Sequence, residues 1–127
     1  MFKKKAVDND ISQQEVSTVI GHDYEFKGEL KGNAVVRIEG KVAGNVSVEA
    51  GVVLGEKGMI EGDIFTSSAI IYGTVKGNVN ATRLQIKKTG CITGEIFTDS
   101  LQIELGARYN GRLHMQQEEG PVLERAS

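Results

Sequence analysis

Gly90-Cys91-Ile92-Thr93-Gly94-Glu95-Ile96 is one copy of a pattern that returns along the chain. Gly40-Lys41-Val42-Ala43-Gly44-Asn45-Val46, Gly58-Met59-Ile60-Glu61-Gly62-Asp63-Ile64 and Gly73-Thr74-Val75-Lys76-Gly77-Asn78-Val79 repeat it. The copy from Gly106 to Leu113 reads with one extra residue, and the first copy has Tyr24 in place of the leading glycine. The second glycine falls at 28, 44, 62, 77, 94 and 111, in steps of 16, 18, 15, 17 and 17. A near-constant period of this size predicts a solenoid.

Each copy runs apolar, any, Gly, any, apolar. The two apolar columns are Phe26, Val42, Ile60, Val75, Ile92, Tyr109 and Leu30, Val46, Ile64, Val79, Ile96, Leu113. Alternation of period two with many β-branched residues predicts strands. The leading glycines suit bends that need positive φ. The inner glycine shares the parity of the apolar columns, so it is expected to face inward where a larger side chain would not fit. A third column is read as Val36, Val53, Ile70, Ile86 and Ile103. A further short piece follows each inner glycine, such as Ile64-Phe65-Thr66 and Ile96-Phe97-Thr98. Each repeat therefore offers three strands of roughly four to five residues, and the fold class is all-β: a triangular coil of parallel rungs. One rung cannot bury its own apolar columns, so stability belongs to the stack. About six rungs span roughly 28 Å at the usual inter-strand spacing.

A chain of 127 residues is read as one domain. Residues 1–16 are read as a disordered tail, 17–115 as the coil, and 116–127 as a second disordered tail, because both tails are polar runs with little to bury. A net charge of −2 argues against nucleic acid as the main partner. Cys91 is the only cysteine, so no intramolecular disulfide forms, which fits a reducing cytosol. Its column holds Lys41, Met59 and Thr74, an outward position with no neighbouring base. No apolar run is long enough to span a membrane, and no signal peptide is visible. His22 and His114 belong to opposite ends of the coil and share no cluster, so no metal site is expected. No Gly-x-Gly-x-x-Gly or phosphate loop occurs, so no nucleotide, cofactor or catalytic residue is expected. At the start, Phe2 beside Lys3, Lys4 and Lys5 is an apolar anchor next to a cationic cluster, which suits an anionic membrane surface.

The array of six apolar-x-Gly-x-apolar units, the period near 17, the Met-Phe-Lys-Lys-Lys start and the polar tails resemble the bactofilins, which are bacterial cytoskeletal proteins. The resemblance covers roughly residues 17–115 and the start. It implies a right-handed parallel β-helix that polymerises end to end, without nucleotide, into non-polar filaments joined head to head and tail to tail. It also implies a peripheral place on the cytoplasmic face of the inner membrane, with Phe2, Lys3, Lys4 and Lys5 as the membrane-binding tip, and a scaffolding role toward cell-wall enzymes. The end rungs become the polymerisation interface: Tyr24, Phe26 and Leu30 at one end, and Ile103, Leu105, Tyr109, Leu113 and Met115 at the other. Neither flank of the coil looks like the polar cap that closes most solenoids.

The alternative is a hexapeptide-repeat acyltransferase, also a triangular coil. Such enzymes keep a period of 18 with an apolar residue every six, whereas the steps here cluster near 17 and no interior rung carries a His as base. An adhesin or ice-binding coil would bring a secretion signal and a flat Thr array, and neither is visible.

Overall fold

The structure, a computed structural model, describes residues 16–115. Fifteen strands follow one another: β1 (Val16–Ile20), β2 (Glu25–Lys27), β3 (Leu30–Gly32), β4 (Val35–Ile38), β5 (Lys41–Ala43), β6 (Val46–Val48), β7 (Val52–Leu54) and β8 (Met59–Glu61), then β9 (Ile64–Ile71), β10 (Thr74–Lys76), β11 (Val79–Ile86), β12 (Cys91–Thr93), β13 (Ile96–Ile103), β14 (Arg108–Asn110) and β15 (Leu113–Met115). Every pairing is parallel. The first face of the coil is the six-stranded sheet β14-β12-β10-β8-β5-β2. The other two faces share a nine-stranded sheet. In it β9, β11 and β13 each run eight residues and turn the corner between faces unbroken. The earlier rungs keep that corner as a gap between β3 and β4 and between β6 and β7.

Both apolar columns of the repeat are true ladders. Phe26, Val42, Ile60, Val75, Ile92 and Tyr109 stand in register on the first face. Leu30, Val46, Ile64, Val79, Ile96 and Leu113 do so on the second. The inner members of both are fully buried, so the core is a stack of aliphatic layers with Ile38, Leu54, Ile71 and Ile86 closing the third side. Thr98 is the one buried polar residue named among the described ones; its hydroxyl donates toward the carbonyls of Thr82 (3.2 Å) and Ser100 (3.0 Å), which satisfies it.

The third expected column is not one ladder. Val36 stands in register with Val52, Ala69, Leu84 and Leu101. Val53 and Ile70 stand with Arg37 and Gln85, and Ile86 and Ile103 stand with Ile38, Leu54 and Ile71. The cause is local: Val52-Val53-Leu54 and Ala69-Ile70-Ile71 are apolar at every position, so alternation carries no parity there. Val53 and Ile70 leave the central core and form a separate cluster with Val35, against Ala50 and Tyr72.

The glycines divide their roles the other way round from the expectation. Positive φ belongs to the inner glycines, from 128° at Gly28 to 154° at Gly62, and to Gly106, but not to Gly40, Gly58, Gly73 or Gly90. The inner glycines stand at the corner between the first and second faces. From Gly44 onward a Cβ there would strike the backbone of the inner glycine one rung earlier, so backbone stacking rather than a narrow interior excludes side chains. The last repeat holds no insertion. Ala107 takes the place of a leading glycine, because Arg108 pairs with Cys91 and the Ala107 amide donates to Glu104, as the Gly90 amide does to Lys87.

The uneven period has a simple source. The corner before the first face has two residues at Glu39-Gly40 and Tyr72-Gly73, and four at 21–24, 55–58, 87–90 and 104–107. One further residue enters between Gly32 and Val36 and between Val48 and Val52, relative to Thr66 and Ala69. The corner after the inner glycine never varies in length, and it carries a side-chain ladder. The Asp63 amide donates to Asn45 Oδ1 (3.0 Å), the Asn78 amide to Asp63 Oδ1 (3.1 Å), and the Glu95 amide to Asn78 Oδ1 (3.1 Å). Three successive rungs thus each hold the next with a side chain as well as with the backbone.

Candidate functional site

A stack of rungs ends in backbone groups with no further rung to pair. Among the described residues these are, at one end, the outer edges of β1, β2 and β3 and, at the other, those of β14, β15 and the second half of β13. Apolar exposure concentrates at the same two places. Tyr24 is 71% exposed at the first end, and Leu105 is 95% exposed at the second, with Ile103, Leu113 and Met115 also exposed. Phe26, Leu30 and Tyr109 are half-buried against the core. The eight expected interface residues are therefore gathered into two sets, one per end. Sequence reading missed Val19, an exposed residue that joins Tyr24 and Phe26 around a small apolar hollow at the first end. Its signal was available: Val19 and Ile20 are adjacent apolar residues, and a strand can bury only one of such a pair on a given face.

The second end carries aromatic groups with incomplete polar contacts. The rings of Phe97 and His114 stack with centroids 4.5 Å apart and planes 7° from parallel. Among the described residues His114 Nε2 lies 3.7 Å from the Glu95 carboxylate and makes no hydrogen bond, and the Tyr109 hydroxyl has no partner of good hydrogen-bond geometry. Burial pushes the Tyr109 phenol above its usual range, with Glu95 adding to the shift and the Ile96 backbone opposing it.

Elsewhere the surface is ordinary. On the first face Lys41 Nζ lies 3.7 Å from Glu61 and 4.0 Å from Glu25, exposed pairs of small energetic weight. Cys91 stands outward in register with Thr74 and Arg108, partly exposed. No group of three or more His, Cys, Asp or Glu residues that could hold a metal occurs among the described residues. No helix among them is long and apolar enough to cross a membrane. Phe2, Lys3, Lys4 and Lys5 lie outside the described residues.

These features define a parallel β-solenoid of about six turns whose unusual surfaces are its two ends. The chain belongs to the bactofilin family: residues 18–114 match the family described as "Bactofilin: Polymer-forming cytoskeletal". It is 33% identical to bactofilin BacO of Myxococcus xanthus over 104 residues, which are 81% of this chain and 82% of BacO. It is 28% identical to BacP of the same organism over 78% of this chain but only 42% of BacP. Among solved structures, the fold matches the Thermus thermophilus bactofilin seen by cryo-EM in double helical filaments, with a TM-score of 0.76, 33% identity and coverage of 79% of this chain and all of that one. It also matches the cytoskeletal bactofilin BacA solved by solid-state NMR, with a TM-score of 0.74, 27% identity and coverage of 82% of this chain and all of that one. The match is to a cytoskeletal family, and the hexapeptide-repeat acyltransferase alternative draws no support from it.

Proposed function

We propose that this chain is a structural subunit rather than an enzyme. It stacks end to end with its own copies, without nucleotide, into a non-polar filament. The filament lies on the cytoplasmic face of the cell membrane through Phe2 to Lys5 and serves as a scaffold for cell-wall enzymes. The observation that carries the assembly step is the pair of coil ends left open among the described residues: edge strands whose outer backbone has no partner there coincide with exposed apolar side chains at both. A joint removes that apolar area from water and pairs the backbone edges at once. The Thermus thermophilus relative is described as filamentous, in keeping with this reading.

Leu113→Arg tests it. Leu113 is the last residue of its inward column, so an arginine there places a charge in the joint while the rungs behind it stay stacked. The expected product is a dimer joined through the intact first ends, seen by light scattering, with no filaments by electron microscopy and a native circular-dichroism spectrum. Long filaments from this variant would overturn end stacking. Folded monomers would keep end stacking and reject two independent joints.

A further inference from the structure

On the third face Val52, Leu54, Ala69 and Ile71 point into the core, so Val53 and Ile70 between them point out, because side chains alternate along a strand. Val19, Arg37, Val53, Ile70, Gln85 and Gln102 form one outward column, and Val35 shares the parity of Arg37. Exposure along this face is uneven. Val19 is 59% exposed, whereas Val35, Val53 and Ile70 are only 1%, 5% and 4% exposed. Outward position in mid-coil does not by itself hide a side chain, since Phe65 on the second face is 45% exposed. Ala50 and Tyr72 flank the three buried residues. Every strand belongs to the two sheets of the coil, so no strand among the described residues lies over the third face.

We propose that residues 6–15, the segment that leads into β1, dock along the third face and cover Val35, Val53 and Ile70. Three observations favour this occupant. The segment arrives in the right place: Val16 stands in register with Val35 on this same face. The burial fades in the right direction. Beyond Ile70 the column continues with Gln85, half-buried, and then Gln102, exposed, and a segment arriving from Met115 at the other end would cross those two first. The segment also has the right reach and chemistry. Ile70 lies three rungs from β1, roughly 14 Å at the usual strand spacing. Ile11 lies five residues before Val16, roughly 17 Å of extended chain. Val7 and Ile11 are its large apolar residues. Its charges are Asp8, Asp10 and Glu15, all negative, while Arg37 and Arg83 border the strip it would cover. The docking stands apart from the filament reading. Its consequence rests on the membrane reading: Phe2 to Lys5 then leave from the third face, which becomes the side a filament turns to the membrane.

The test reads the rate at which a maleimide labels a single thiol, Ile70→Cys, in the 127-residue chain with Cys91→Ser. Deleting residues 2–15, or Ile11→Asp alone, should speed labelling roughly tenfold or more, because the opening of the cover sets the rate. Deleting residues 2–5 alone should leave the thiol shielded, and Phe65→Cys should label fast in every background. If Ile70→Cys alters the circular-dichroism spectrum, Val53→Cys takes its place. Equal rates with and without residues 2–15 would overturn the docking. So would release by deleting residues 116–127, which names the other segment, or release only in the Leu113→Arg dimer, which names a second copy. The membrane side is read with dyes on Gln85→Cys, third face, and Asn80→Cys, second face. Brominated anionic lipid vesicles should quench the first more strongly. Equal quenching overturns the orientation, and filaments that do not pellet with vesicles overturn the membrane reading while the shielding result stands.

Discussion

Gly94 lies one rung beyond Gly77, and a Cβ on Gly94 would overlap the Gly77 carbonyl oxygen. Gly77 and Gly94 hold this corner at positive φ, 149° and 140° respectively. The rungs there approach so closely that only backbone fits between them.

Gly94→Ala should therefore cost more than conformational strain alone, which is about 1–2 kcal/mol for a residue forced to positive φ. The overlap is with backbone, which cannot rotate away, so the expected loss is several kcal/mol with rungs forced apart. Gly28→Ala is the control. Gly28 has the same backbone habit at φ 128° but no atom within 4 Å of its would-be Cβ. Denaturant titration of the two variants measures the difference, and equal losses would show that stacking adds nothing at this corner.

Ile92 is fully buried in the central ladder, while its neighbour Cys91 points outward. Ile92→Asp places a carboxylate among aliphatic layers, at an expected cost of several kcal/mol, enough to unfold a domain of ordinary stability. Cys91→Ser should leave the melting temperature within about 2 °C, because surface substitutions of this kind are nearly neutral. An unchanged melting temperature for Ile92→Asp would contradict the inward ladder.

The raised Tyr109 phenol gives a pH dependence of defined sign. Its folded value lies above its unfolded one, so the folded state favours the neutral phenol. That contribution is complete below the unfolded value, near pH 10, and is lost as pH rises through the folded value. Tyr109→Phe cannot ionise. The stability of the native chain relative to this variant should thus fall as pH climbs above about 10, in paired urea titrations. A difference that stays flat or grows would mean that the phenol is not held neutral.

Residues 2–5 carry the membrane step of the proposal. Their deletion should leave filaments intact and abolish sedimentation with anionic vesicles. A single tip of one phenylalanine and three lysines binds weakly, and a filament multiplies it. Salt should weaken the full-length contact by screening the lysines. Truncated filaments that still pellet with vesicles would place the anchor elsewhere.

By itself the sequence determined the solenoid, its rung count and two of its three core ladders. Phe26 to Tyr109 and Leu30 to Leu113 alternate with polar residues around a recurring glycine, and such alternation names the inward face without any tertiary information. Only the tertiary structure decided the third face, because an apolar run such as Val52-Val53-Leu54 has no parity until hydrogen-bond register with Arg37 and Ile70 assigns it. It likewise decided which glycine bears the positive φ, since leading and inner glycines alternate with the same residue types in the sequence. And it decided that Phe65, one residue beyond a buried isoleucine, stands in water at mid-coil. Its exposure depends on which side chains the neighbouring rungs set beside it, a relation between residues 15 and 18 positions apart.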